Sequence, residues 1–285
     1  MNFPAIMGIV NVTPDSFSDG GRYLEVDAAV EHGLQLLRDG ANILDVGGEA
    51  TNPRARPVSA AEELRRVLPV VERLVAAGAT VSIDTTKAIV ARAAVAAGAR
   101  IINDVSGGLF DPTMRDAIGD ATYIAGHLRG HSLAEVFVTE ALAAPARGGN
   151  PDGVAGGAGE ILRGLDWRTV AGELADRLAS LPAGVRERAW VDPGLGFGKG
   201  ADPEVNLALL RHSGDLGTQL GRPVVVGPSR KRFIRRAFGV HDDDTAALDA
   251  ASVSASMDAI RAGANVVRVH NVALLRAALA LYTKR

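Results

Sequence analysis

Cysteine is absent from the 285 residues, so neither a disulfide nor a thiolate metal site is available. Aromatic residues are scarce at 4%. No apolar run approaches the roughly 20 residues that span a bilayer. An excess of one charge is also missing: 31 Lys and Arg stand against 33 Asp and Glu, a formal -2. That balance gives no global attraction to nucleic acid or to an anionic membrane. The start, Met1-Asn2-Phe3-Pro4, carries no basic n-region, and the apolar stretch 5–10 is too short for a signal-peptide core. The expectation is a cytoplasmic protein with neither nucleic acid nor membrane as partner.

What is present is a rhythm. Short apolar stretches at 6–10, 43–46, 80–83, 100–102, 122–125, 189–191, 223–226 and 265–267 read as buried strands. Helical periodicity lies between them, at 27–38, 87–97, 167–181 and 245–262, with a last helix at 272–282. Ser59 with Glu62 three residues on forms a capping-box pattern, Asp111 precedes a short helix at 112–118, and Asp202-Pro203 opens another helix. Strands returning at roughly 25–40 residues are the period of βαβ units, and the length suits a (β/α)8 barrel. The prediction is an α/β fold, a single TIM barrel over 1–285 with its site at the strand carboxyl ends. An irregular Gly-rich excursion is expected at about 129–165, with a helical turn at 133–142. A doubly wound open sheet fits less well, because no Gly-x-Gly-x-x-Gly follows the first strand.

In a barrel the strand carboxyl ends share one face, so what each delivers can be compared. They give Asn11, Glu49 with Thr51, Asp84, Asn103, His127, Asp192, Lys231, and Arg268 with His270. Asp192 opens the turn Asp192-Pro193-Gly194-Leu195-Gly196-Phe197-Gly198-Lys199, whose glycines let a backbone approach a ligand closely. Asp84, Asn103 and Asp192 are acceptors, with Asn103 also a donor. They suit a flat heterocycle presenting several N–H groups, such as a pterin or purine, and Lys231 could reach a ring carbonyl. Arg268, His270 and Asn11 suit a phosphate or diphosphate, with the Asn11 amide oxygen offered to Mg²⁺. Plainer readings stand beside these. Asp84 could cap a helix, Asn103-Asp104 could be turn residues, and His127 could be a hydrogen-bonded core histidine. The run Arg230-Lys231-Arg232-Phe233-Ile234-Arg235-Arg236 could be a nucleic-acid patch, although the negative net charge favours a phosphate-site loop.

With these residues in place the chain resembles the dihydropteroate synthase family of pterin-binding barrels. Gly8 to Gly21 is similar to the family's first signature, and Asp45-Val46-Gly47-Gly48-Glu49-Ala50-Thr51-Asn52-Pro53 to its second. Ser82-Ile83-Asp84-Thr85, Ile102-Asn103-Asp104, Asp192 to Lys199, Ser229-Arg230-Lys231 and Arg268-Val269-His270 follow in the family's order. The resemblance implies a transferase that condenses 6-hydroxymethyl-7,8-dihydropterin diphosphate with 4-aminobenzoate by a dissociative, cation-like substitution. By this analogy Asp84, Asn103, Asp192, Phe197 and Lys231 hold the pterin. Asn11, Arg268 and His270 hold the diphosphate, with Mg²⁺ at Asn11. Phe17, Thr51, Pro53 and Ser229 border the 4-aminobenzoate site. Asp192, Lys231 and Arg268 carry the chemistry, and the family implies a homodimer. The chain departs from the pattern at Asn52 for Arg, Gly126 for Met and Asn271 for Asp. Two other readings stay open: a pterin-binding paralogue without synthase activity, and a methyltetrahydrofolate-binding methyltransferase-type barrel.

Overall fold

Runs of Val, Ile and Leu without polar alternation suit strands covered on both faces, as parallel sheets require. The computed structural model describes residues 4–12, 22–51, 57–137, 165–199, 203–241 and 243–282, and joins such runs into an 8-stranded sheet. Its strands are β1 (Ala5–Asn11), β2 (Ile43–Gly47), β3 (Val81–Asp84), β4 (Ile101–Asp104), β5 (Thr122–Gly126), β6 (Trp190–Asp192), β7 (Val225–Val226) and β8 (Val266–Val269). The order is β6-β5-β4-β3-β2-β1-β8-β7, and all ladders are parallel. A parallel bridge from Val191 to Val224 brings β6 to the residue before β7 and closes the ring, and the Val191 N–H donates to the Pro223 carbonyl at 3.0 Å. The expected TIM barrel is the observed fold.

The helices wrap the outside. They are α1 (Arg22–Arg38), α2 (Ala60–Ala76), α3 (Ala88–Ala96), α4 (Trp167–Ala179), α5 (Ala183–Arg188), α6 (Pro203–Arg211), α7 (Ser213–Leu220), α8 (Arg232–Phe238), α9 (Thr245–Arg261) and α10 (Val272–Tyr282). The capping pattern at α2 is realised: Ser59 Oγ accepts the Glu62 N–H at 3.2 Å. Their buried faces, such as Val67, Val71 and Leu74 of α2, form one core with the outward side chains of the strands. Among the described residues no helix is long and apolar enough to cross a membrane.

Several sequence expectations shift. Strands β3, β4, β6 and β8 run one or two residues further than their apolar letters, so Asp84, Asn103, Asp192 and Arg268 are strand residues and not turn residues. Lys231 instead lies beyond β7, as the N-cap of α8. The basic run was expected to be a loop. It is mostly helix, because Phe233 and Ile234 bury against the core while Arg232 and Arg236 face outward. Helices α5 and α7 were not foreseen, since each is short with little apolar periodicity. Of the 129–165 excursion, a helical turn at 133–137 is described and 138–164 lies outside the described residues.

Successive strand residues point to opposite faces, so every second side chain enters the barrel. At the lower level these are apolar: Ala5, Met7, Ile43, Ile101, Ile124, Val225 and Val266 form a separate buried cluster, with Trp190 packed on it. Two residues further on, the same strands deliver Asp45 (β2), Asn103 (β4), Asp192 (β6) and Arg268 (β8). β3 adds Asp84, two residues after the buried Ser82. An apolar plug thus carries a polar layer directly above it.

Candidate active site

The polar layer is knitted around Arg268. Its Nε donates to Asp45 Oδ2 at 2.5 Å and its Nη2 to Asp84 Oδ2 at 2.6 Å. Asn103 Nδ2 donates to the same Asp45 oxygen at 3.0 Å. This fixes the amide, so that Asn103 spends its donor side on Asp45 and keeps its carbonyl oxygen for other partners. Burial opposes protonation of Arg268, but Asp45 and Asp84 hold its guanidinium charged, above its ordinary value. Burial pushes the Asp84 carboxyl up to about 7, with Arg268 opposing the rise and Asp45 and Glu63 adding to it. Asp45 was not singled out from the sequence as a site residue. The signal was there: it stands two residues after inward-facing Ile43.

Asp192 closes the layer. Its Oδ1 accepts the Gly194 N–H at 2.7 Å, which sets the start of the glycine turn. Burial raises the Asp192 carboxyl, and that N–H together with the charges of Lys231, Arg268 and Lys199 opposes the rise. Gly194 has φ +70, and a Cβ there would lie 1.8 Å from the His127 carbonyl oxygen, so no side chain fits. The turn brings Phe197 under Lys231, whose Nζ lies 3.7 Å from the ring centroid. Phe137 packs beside the Phe197 ring at 6.2 Å.

Two adjoining cavities open at this end. The inner one, about 30 Å³, is lined by Asp84, Asn103, Asp192, Phe197, Lys231 and Arg268 among others. The outer one, about 350 Å³, is lined by Asn11, Thr51, Ser229, Lys231, Arg268 and His270 among others. Of the heterocycle set drawn from the sequence, Asn103 and Asp192 line the inner cavity alone, and of the anion set, Asn11 and His270 line the outer one alone. Lys231, Arg268, Asp84, Phe197 and Thr51 line both. Phe17, Asn52 and Pro53 lie outside the described residues.

The outer cavity is stiffened from behind. Arg230 sits at φ 57, a left-handed conformation that costs a non-glycine residue about 1 kcal/mol or more. It is held there by paired bonds to Asp249, at 2.7 and 3.0 Å, and by Ser252 accepting its N–H. Asn271 Nδ2 donates to the same Asp249, so the amide at this position has a structural partner. Ser229 Oγ and His270 Nδ1 are 2.9 Å apart, and the His270 N–H donates to the same hydroxyl. Burial, with the Arg230 and Arg268 charges, lowers His270 to about 3, so the ring is neutral at neutral pH.

Two residues expected at the mouth do something else. Glu49 lines the outer cavity, but Lys87 Nζ bonds it at 2.6 Å and also bonds buried Glu63. His127 is fully buried and lines neither cavity, which agrees with its reading as a core histidine. Gly126 also resolves simply. A Cβ there would meet the Val105 backbone at 2.5 Å, and Val105 lines the inner cavity. Backbone from the β4 exit fills the place where a side chain was expected.

A parallel barrel with an acceptor-lined slot beside an anion-suited cavity defines a class of enzymes that handle flat heterocycles. The family description "pterin binding enzyme" matches residues 7–270, and the chain belongs to that family. Its relatives narrow the class. It is 41% identical over 273 residues to the dihydropteroate synthase of Mycobacterium leprae, covering 94% of this chain and 88% of that protein. Among solved structures, Xanthomonas albilineans dihydropteroate synthase with 4-aminobenzoic acid matches at 40% identity and TM-score 0.79, over 99% of this chain and 93% of that one. The same enzyme in complex with 7,8-dihydropteroate matches at 39% and 0.76, over 99% and 94%.

Proposed function

We propose that the inner pocket takes the dihydropterin and the outer cavity takes the diphosphate and 4-aminobenzoate. The chain is a transferase of folate biosynthesis with dihydropteroate synthase function. It joins 6-hydroxymethyl-7,8-dihydropterin diphosphate to 4-aminobenzoate, giving 7,8-dihydropteroate and diphosphate. The observation that carries the site assignment is the pairing of an acceptor-lined slot with a donor-lined cavity that share Lys231 and Arg268.

Asp84, Asp192 and the Asn103 carbonyl oxygen accept N–H groups of the ring. The ring enters when Lys231 swings off Phe197, and Lys231 then faces a ring carbonyl. The methylene C–O bond breaks, its electrons leave with diphosphate, and the ring nitrogens delocalise the resulting cation. The Asp192 carboxylate stabilises that cation electrostatically. The amine of 4-aminobenzoate forms the new C–N bond and loses a proton. Neutral His270, with Ser229 donating to Nδ1, presents Nε2–H to the leaving diphosphate. Thr51 and Ser229 border the 4-aminobenzoate.

Among the described residues no group of three or more His, Asp or Glu converges as a metal site. Asn11 offers a single neutral oxygen at the cavity wall. That fits a Mg²⁺ carried by the diphosphate, since Mg²⁺ keeps waters and phosphate oxygens as most of its ligands. When bound, the ion would neutralise charge on the leaving group. Exposed Leu274, Leu281 and Tyr282 on α10 support a homodimer through that helix, which light scattering tests. The lack of cysteine suits a reducing, cytoplasmic setting.

The decisive assay is diphosphate release from the dihydropterin diphosphate and Mg²⁺, with and without 4-aminobenzoate. Release that requires 4-aminobenzoate is expected. No release with dihydropterin still bound would overturn the reading in favour of a non-catalytic pterin binder.

A further inference from the structure

Behind the glycine turn lies a buried ionic cluster that touches neither cavity. Lys199, 2% exposed, donates through Nζ to the Phe197 carbonyl at 3.0 Å, the His127 carbonyl at 3.1 Å and His127 Nδ1 at 2.9 Å. An ammonium group accepts nothing, so Nδ1 must be the acceptor and His127 carries its proton on Nε2. Nε2 then donates to Glu173 Oε2 at 2.9 Å. Glu173 also receives the Arg129 Nε at 3.0 Å. Burial and the Lys199 charge lower His127 to about 3, so it stays neutral through the working range. Arg177 donates to the carbonyls of Gly126 and Leu128. Consecutive carbonyls at the β5 exit are thus each held by a cation, half-buried Arg177 or buried Lys199, and Lys199 ties the middle one to the glycine turn.

We propose that Lys199 is a positioning residue for the reaction: it pins the Phe197 carbonyl, and so the ring that floors the pterin slot, and lends a buried positive charge to Asp192. The inference rests on the pterin reading of the inner pocket. The geometry separates this role from simple scaffolding. The ammonium bridges two elements, the exit of β5 and the turn after β6, through the carbonyls of His127 and Phe197. A buried charge is costly to keep unless its hydrogen bonds are satisfied, and here each of its three donors has an acceptor in place. The groups facing Asp192 are Lys231 from the α8 cap, Arg268 from β8, Lys199 and the N–H of Gly194 from the glycine turn, and Asp84 and Asn103 across the slot. Lys199 is the one cation of this set that lines neither cavity and so cannot itself hold substrate.

The test uses the full chain, with Lys199→Met and Lys199→Gln beside wild type. It measures KM for both substrates and the pH profile of kcat/KM. In Lys199→Met, kcat/KM for the dihydropterin diphosphate is expected to fall by about tenfold or more, while KM for 4-aminobenzoate moves by less than about twofold. Loss of the charge raises Asp192 further, so the part of the acid limb that persists in an Asp84→Asn background should move to higher pH. Lys199→Gln keeps an N–H donor without the charge. It should recover much of KM yet keep the limb shift, and it carries the test if the Met variant does not fold. Equal losses for both substrates with an unmoved limb would reduce Lys199 to scaffold and overturn the inference. A wild-type chain that releases no diphosphate would instead overturn the pterin reading beneath it.

Discussion

The two inward levels of the barrel are made by the same strands, one pleat apart, and they obey opposite rules. In the lower level Met7, Ile43, Ile101, Ile124 and Val266 bury apolar surface, and the Ser82 hydroxyl, one pleat below Asp84, is the polar exception. In the upper level Asp45, Asp84, Asn103 and Arg268 are bound into a network beside Asp192, and Asp45 Oδ1 is still buried without a partner among the described residues. The lower level stabilises through area and packing. The upper level holds charge away from water, which hydrophobic replacements would do at less cost. Its presence makes sense as preorganised electrostatics for a ligand. The apolar plug supplies the rigidity that lets the charged layer stay in place when empty.

That contrast can be broken by substitution. The largest effect belongs to Asp192→Asn, which should lower kcat for diphosphate release by about 10²–10³-fold while the thermal midpoint stays close to wild type. A large fall in the midpoint would show that the upper level is structural after all. Next comes Ile124→Ala in the plug, expected to cost about 2–5 kcal/mol in urea unfolding and to leave both KM values near wild type. A selective rise in KM for the dihydropterin would erase the division between levels.

A smaller effect separates the levels by pH. Asp84 is raised from 3.8 to about 7 in the folded chain. Its folded value exceeds its unfolded one, so its contribution to stability is fully present below about pH 4 and is lost as pH rises toward 7. Ring N–H groups need the ionised carboxylate, so dihydropterin affinity should run the other way and weaken below pH 7. Calorimetric titration across that range checks both signs, because Asp84→Asn should flatten the affinity profile. The smallest effect is expected for Asn11→Ala: a few-fold higher Mg²⁺ requirement with little change in kcat at saturating metal. An unchanged Mg²⁺ curve would remove Asn11 from the metal assignment.

Much of this was legible in the letters because barrels convert sequence period into geometry. Counting apolar strands yields the fold, and the residue at each strand end yields most of the polar side chains of the cavity lining, from Asn11 round to His270. What escaped depends on register or on close approach. The Asp45–Arg268 pair joins positions 223 apart, and only the parallel ladders from β8 through β1 to β2 bring them together. That the Val105 backbone fills the space a side chain at Gly126 would need is invisible in the letters. Lys199 read as the last letter of a turn, and its burial behind Phe197 comes from folding that turn over His127. Helix α8 was hidden by its charges, since only Phe233 and Ile234 mark its buried side.

The ring of strands is fastened unevenly. Every neighbouring pair shares a ladder except β6 and β7, which meet through the single bridge from Val191 to Val224. A hoop with one clasp breathes at the clasp. Asp192 stands on one side of it and Lys231 follows the strand on the other, so a small loosening there widens the gap between the carboxylate and the ammonium while the rest of the circle keeps its shape. Substrate admission and release could thus be tuned by changes at Val191, Pro223 or Val224, none of which lines either cavity.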